Sequence, residues 1–271
     1  MLHEFKYAAP RGYAELADAL ANDPGAKVLA GGTDLLVNIR SGLAKPTLVV
    51  DIKRIPGADV IGWDPVKGLS IGPAVTVNAL LRSREARERY PLLAAAGHEL
   101  ASHQVRNRAT VAGNVANASP CADMAPALLC LDASAVLRSS AGSRTVPFSA
   151  FFTGVKKTAL APGEFIEAIT VPASSSGARG DYRKMKRVKG HDLGIVGVMV
   201  AISGGRLRIA VSSAAPVPVL VDGLPSDADP DEAVARTLAA VKPIDDVRCT
   251  AEYRLFMIET YVRRLLGEAR T

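Results

Sequence analysis

The segment Lys27-Val-Leu-Ala-Gly-Gly-Thr-Asp-Leu35 constrains the fold more than any other stretch of the chain. Its apolar start reads as a strand over 27–30, and two adjacent glycines then break it. Thr33 and Asp34 stand where a helix over 33–40 would begin, ahead of Leu35, Leu36 and Ile39. A strand that stops at a glycine pair and restarts as a helix leaves backbone N–H groups unpaired and aimed outward. That helix end carries partial positive charge, and glycine admits a ligand close to the main chain, so the pattern suits a phosphate. The same residues also suit a tight turn with a threonine helix cap.

A chain of 271 residues buries about three-quarters of its unfolded surface, enough for two or three modest domains. It is 48% hydrophobic and 22% charged, with no apolar run near the roughly 20 residues that span a bilayer. Met-Leu-His-Glu-Phe-Lys at the start lacks the apolar core of a secretory signal, so cytoplasm is the expected compartment. Three cysteines at unrelated spacings cannot supply four thiolates to an iron–sulfur cluster, and four histidines offer no i,i+4 pair. No protein-bound metal is expected, and redox chemistry would fall to an organic cofactor. The net charge of +6 is spread among acids and aromatics are only 5%, which suits an anionic ligand or an acidic partner better than nucleic acid.

Periodicity divides the chain near 55 and 175. Tyr13, Leu16, Ala17 and Leu20 mark an amphipathic helix, and a second strand is expected over 47–52. Beyond Ile55-Pro56-Gly57, a hairpin is expected around Trp63-Asp64-Pro65, helices over 76–82 and 91–102, and strands over 135–138 and 165–171. Residues 173–180 read as a small, polar linker. Strands are expected over 182–187, 194–203 and 206–213, the last two joined by a Gly204-Gly205 hairpin, and two amphipathic helices follow. The fold class is α+β, with regions 1–55, 56–173 and 178–271.

A second cluster runs from Arg106 to Asp123 and contains Thr110, Val111, Ala112, Gly113, Asn114, Asn117, Ser119 and Asp123. So many hydrogen-bonding groups without surface charge call for a polar ligand or for their own backbone. A set of turns and caps, with Ser119 or Pro120 opening a helix that holds Leu128, Leu129 and Leu131, answers that need too. No Gly-x-Gly-x-x-Gly, P-loop or Gly-x-Ser-x-Gly occurs.

Taken together and in order, Ala30-Gly31-Gly32-Thr33-Asp34-Leu35 and Ala109-Thr110-Val111-Ala112-Gly113-Asn114 … Ala118-Ser119-Pro120 … Asp123 resemble the FAD-binding subunit of the molybdenum hydroxylases. That group includes the medium subunit of carbon monoxide dehydrogenase and the flavin subunits of xanthine and nicotinate dehydrogenases. The resemblance extends through Phe151-Phe152-Thr153-Gly154, Lys157-Thr158 and the basic stretch Tyr182–Arg187. It implies two N-terminal α/β subdomains that clasp FAD, of the vanillyl-alcohol-oxidase-like type, and a C-terminal α+β domain that closes over the flavin. It also implies a [2Fe-2S] subunit and a molybdenum-cofactor subunit as partners, with electrons passing through FAD to an acceptor such as NAD or a quinone.

Carried over residue by residue, the resemblance places Lys27, Val28, Leu29, Ala30, Gly31, Gly32, Thr33 and Asp34 around the pyrophosphate. A side chain at Gly32 would stand where the diphosphate lies. Thr110, Val111, Ala112, Gly113 and Asn114 would form a second wall, with Ser119 beyond it and Asp123 on a polar part of the flavin. Leu100 would lie near the ring, and Ala159 or Leu160 would meet it through main chain. Lys184, or else Lys186, would bring positive charge to the ring. Many relatives have two glycines where this chain has Ala112-Gly113, which is tolerable if φ at 112 is negative. The four-cysteine insertion of 4-hydroxybenzoyl-CoA reductase is missing, which disfavours that role. The alternatives are a free-standing FAD-dependent oxidoreductase with His103 or His191 as acid/base, or a scaffold subunit without cofactor.

Overall fold

The computed structural model describes residues 3–271. The first sheet is parallel, with β1 (Lys6–Ala8), β2 (Lys27–Leu29) and β3 (Leu48–Asp51) in the order β1-β3-β2. Its connections carry helices α1 (Tyr13–Asn22) and α2 (Leu35–Arg40), as parallel neighbours require. Leu16, Ala17 and Leu20 form the buried stripe of α1 and meet Val50, Ile52 and Phe165 in a small core.

The second region holds β4 (Ile61–Asp64), β5 (Gly68–Ile71), β6 (Ser134–Ser139), β7 (Gly142–Pro147), the ribbon β8 (Phe152–Gly154) and β9 (Lys157–Thr158), and β10 (Phe165–Val171). Five of these strands make an antiparallel sheet, β4-β5-β10-β6-β7. Between β5 and β6 lie α3 (Val77–Arg82), α4 (Arg84–Arg89), α5 (Pro91–Glu99), α6 (His103–Arg106), α7 (Val111–Ala116) and α8 (Met124–Cys130); α9 (Phe148–Phe151) follows β7. The helix expected over 91–102 is shorter. Ala101 takes a left-handed φ of 46°, which ends α5 and turns Ser102 into the cap of α6, its hydroxyl accepting from Val105 N–H at 3.3 Å.

The third sheet is antiparallel, β11 (Arg179–Met185), β12 (Val196–Ser203), β13 (Arg206–Ser212) and β14 (Val219–Pro225), followed by α10 (Pro230–Ala240) and α11 (Ala251–Arg270). Gly204 and Gly205 have φ of 55° and 74°, the two left-handed residues of the hairpin turn whose twist matches that of its strands. Val196, Val198 and Val200 of β12 pack with Ile258, Val262 and Leu265 of α11. Met199 and Ala201, on the opposite face, join Leu93, Leu100, Val111 and Leu128 in the largest core. The expected linker over 173–180 is therefore no free tether. Ser175 is buried and donates to Leu131 O at 2.8 Å, Gly177 N–H donates to Arg89 O at 2.7 Å, and Ala178 lies in that same core.

Candidate functional site

The two glycine-bearing segments meet. A Cβ on Gly31 would overlap the Arg108 carbonyl and stand 2.7 Å from its carbon and 3.0 Å from Ala109 Cα. Only a glycine lets the turn after β2 lie against the strand-like entry to the second cluster. Lys27 is exposed and Val28 and Leu29 half-buried in β2, while Ala30, Gly31, Gly32 and Thr33 are half-buried in the turn. Asp34 is exposed at the start of α2, with no side-chain cap bond. Among the described residues, no backbone acceptor takes the N–H groups of Gly31, Gly32, Thr33 and Asp34. They form a row of unpaired donors at a helix start, the arrangement that receives an anion.

Gly32 departs from expectation. Its φ is 77°, and a Cβ there would meet Leu29 Cδ1 and Leu36 Cδ1 at 3.0 Å, so a side chain would point at apolar neighbours. Residues outside the expected set hold this turn. Lys53 Nζ donates to Ala30 O at 3.0 Å and pairs with Asp51 at 2.6 Å, and Tyr7 OH donates to the other Asp51 oxygen at 2.8 Å.

In the second segment Thr110 is buried and caps α7, its Oγ1 accepting from Gly113 N–H at 2.9 Å. Val111 and Ala112 are buried core residues, and Ala112 is helical, so its methyl carries no backbone strain. Gly113 is half-buried, and a Cβ there would stand 2.8 Å from Thr110 Oγ1. Asn114 Oδ1 accepts from Met124 N–H at 3.2 Å and thereby starts α8, and Ser119 Oγ accepts from Cys121 N–H at 3.2 Å. Thr110→Val is expected to lower stability by about 1 kcal/mol through loss of the cap. Urea unfolding checks this, and an unchanged midpoint would remove the cap from the account.

Asp123 and Lys184, 61 residues apart in sequence, form a buried ion pair at 2.9 Å; their side chains are 9% and 2% exposed. Tyr182 OH donates to the other carboxylate oxygen at 3.2 Å, and Lys184 Nζ also donates to Glu99 O at 3.2 Å. Burial pushes the Asp123 carboxyl upward, against the pull of the Lys184 ammonium and of both hydrogen bonds. Burial and the Asp123 charge together hold the Tyr182 phenol far above its usual value. Leu100 follows Glu99 directly and is buried in the main core, its carbonyl accepting from Arg106 at 2.8 Å.

Lys186 lies just past the end of β11 and pairs with Glu99 Oε2 at 2.7 Å. Leu160 is half-buried after the β8–β9 ribbon; that ribbon's turn is tied to the second segment by Lys156 N–H donating to Ala118 O at 2.9 Å. Ala159 has both main-chain groups engaged, its N–H with Phe151 O and its carbonyl with Arg144, which leaves Leu160 the freer of the two. His103 and His191 are both exposed.

The C-terminal sheet reaches the same segment. Ser213 N–H donates to Pro120 O at 2.8 Å, and Arg248 NH1 lies 2.9 Å from Gly194 O and 3.2 Å from Cys121 Sγ. Glu99, Ser213 and Arg248 carry no motif that sequence reading could have caught, and Tyr182 reads only as the start of the basic stretch, because each acts through a partner distant in the chain.

The family described as "FAD binding domain in molybdopterin dehydrogenase" matches residues 3–174. The chain is 35% identical to the carbon monoxide dehydrogenase medium chain of Hydrogenophaga pseudoflava, over 98% of this chain and 96% of that one. It is 31% identical to the nicotine 6-hydroxylase medium subunit of Paenarthrobacter nicotinovorans, over 99% and 98%. Among solved structures, carbon monoxide dehydrogenase from Hydrogenophaga pseudoflava superposes with a TM-score of 0.92 at 33% identity, covering 100% of this chain and 98% of that chain. No helix among the described residues is long and apolar enough to cross a membrane. With two glycine segments in contact and unpaired amides beside them, the residues fit the cofactor that the family is named for, and the chain belongs to the FAD-binding subunits of the molybdenum hydroxylases, an oxidoreductase family.

Proposed function

We propose that the chain is the electron-transfer subunit of a molybdenum hydroxylase complex, taking electrons from a [2Fe-2S] subunit and passing them through FAD to NAD or a quinone. The observation that supports this reading is the approach of Gly31 to Arg108–Ala109, which brings the two motif segments into contact. Regions 1–55 and 56–173 would be the two FAD-clasping subdomains of vanillyl-alcohol-oxidase-like type, with 178–271 closing on them. When bound, FAD supplies the junction between one-electron donors and two-electron acceptors.

The chain's own residues bind and orient. The amides of Gly31 to Asp34 would hold the pyrophosphate, with Lys27 to Ala30 supplying the strand that presents them. Thr110, Val111, Ala112, Gly113, Asn114 and Ser119 would form the facing wall, whose Ala112 N–H is unpaired among the described residues. Asp123 and Lys184 would place a paired charge at the flavin, Lys186 a second cation nearby, and Leu100 and Leu160 the apolar and main-chain contacts. Three free cysteines, one of them buried, suit a reducing compartment, and cytoplasm is part of the reading.

Relatives named as the medium subunit of a nicotine 6-hydroxylase and the medium chain of a carbon monoxide dehydrogenase support the partner assignment. Expressed together with iron–sulfur and molybdenum-type polypeptides from its own source, the chain is expected to co-purify with both. Its flavin, reduced without oxygen, is expected to be reoxidised by NAD or by a quinone. A chain that stays alone, or a reduced flavin inert to both acceptors, would overturn the proposal.

A further inference from the structure

The geometry points to Tyr182 as a positioning residue: its hydroxyl, held between Ser212 and Asp123, keeps Asp123 the ionised partner of the buried Lys184 ammonium and so fixes one cation at the flavin site. The inference rests on the reading that Asp123 and Lys184 lie beside the flavin.

Tyr182 and Lys184 are two residues apart on β11 and therefore project from the same face of the sheet, toward Asp123. Room for the hydroxyl is made by a glycine. In the ladder Lys184 lies opposite Gly197, and Gly197 lies opposite Ser212. A Cβ on Gly197 would overlap Tyr182 OH and stand 2.5 Å from Ser212 Oγ. Tyr182 OH and Ser212 Oγ are 3.4 Å apart, and because the carboxylate can only accept, the phenolic proton goes to Asp123 and the serine hydroxyl is left to donate to the phenol. A buried carboxylate prefers to take up a proton, and each hydrogen bond donated to it opposes that tendency. Lys184 gives two of its donors to Asp123 and Glu99 O, and the third N–H of its ammonium has no partner among the described residues.

The charged and titratable groups facing Asp123 are known from every side. Lys184 and Tyr182 come from β11, and Glu99, itself paired with Lys186, comes from the end of α5. Cys121, with Arg248 beside it, is two residues away along the chain. Among these, Tyr182 and Lys184 are the donors to the Asp123 side chain.

Tyr182→Phe keeps the ring and deletes the donor. Asp123 in the folded protein then takes up its proton at higher pH, while its unfolded value stays put. A folded value raised in this way removes stability as pH rises through it. Urea unfolding of the full chain is therefore expected to match the parent in acid and to show about a tenfold smaller folding constant at neutral and alkaline pH.

In the FAD-loaded protein the flavin midpoint of Tyr182→Phe, relative to the parent, is expected to rise as pH falls, because protonated Asp123 leaves Lys184 uncompensated. A difference independent of pH in both measurements, or a variant that fails to fold even in acid, would assign Tyr182 to packing alone and overturn the inference. Lys184→Met separates the two claims. If it shifts the flavin midpoint and Tyr182→Phe does not, the positioning role fails and the site reading stands. If neither variant shifts it in a protein that carries FAD, the placement of the pair at the flavin fails.

Discussion

Gly31→Ala is expected to yield a folded protein that no longer retains FAD. The added methyl has nowhere to go, because it would overlap backbone and no side chain can rotate away from it. The backbone it meets is pinned: Arg108 and Ala109 N–H both donate to Val105 O, at 2.9 and 2.7 Å, and Ala109 O accepts from Val77 N–H at 2.9 Å. The turn carrying Gly31 is held from its own side by Lys53 on Ala30 O. Relief must come from separating the two segments.

Overpacking of this kind costs about 1–3 kcal/mol of stability. Affinity for FAD is expected to fall by at least about 100-fold, or about 3 kcal/mol, since both walls lose their register on one ligand. Gly62→Ala, where nothing lies within 4 Å of the new methyl, serves as the neutral control. Flavin content after purification and an FAD titration of each variant read the effect. Full flavin retention in Gly31→Ala would overturn the proposal that the two segments hold one ligand. Gly32→Val is the weaker test, because its left-handed φ and its Leu29 and Leu36 neighbours strain the fold whether or not a diphosphate binds.

The parts of this molecule legible in its sequence are those whose cause is local. A glycine pair after an apolar run announced the turn at 30–33, and Gly204-Gly205 announced a hairpin, because left-handed φ values leave few residue choices. Leu16, Ala17 and Leu20 declared the buried face of α1 by spacing alone. Strands without an alternating pattern escaped. β1 is mostly exposed at the edge of a parallel sheet, and β7, Gly-Ser-Arg-Thr-Val-Pro, hides one residue and exposes the rest. The linker reading of 173–180 missed how closely the segment packs, because small polar residues also suit a close-packed strap, as Ser175 on Leu131 shows. At the site, the family resemblance implied that Asp123 and Lys184 lie near one ligand, but their pairing is a property of the folded chain.

Lys184→Met is expected to destabilise the protein by about 3–5 kcal/mol at neutral pH, the cost of leaving a buried carboxylate without its cation. The sign of the pH dependence follows from Asp123. Its folded value is already raised by burial and rises further once the ammonium is gone, so stability is lost as pH increases through that value and regained in acid. Removing both charges tells stability apart from function. In Lys184→Met/Asp123→Val the buried carboxylate is gone, Tyr182 OH keeps Ser212 as partner, and most of the lost stability is expected to return, since apolar replacements of a buried pair are often neutral. The two residues are in contact, so the double variant must depart from additivity. FAD affinity is expected to stay about tenfold below the parent, because the proposed contact of the Lys184 charge with the ligand is absent in both variants. Urea unfolding across pH and FAD titration decide it. A double variant that recovers stability together with full FAD affinity would make the ion pair a structural feature and take Lys184 out of the site.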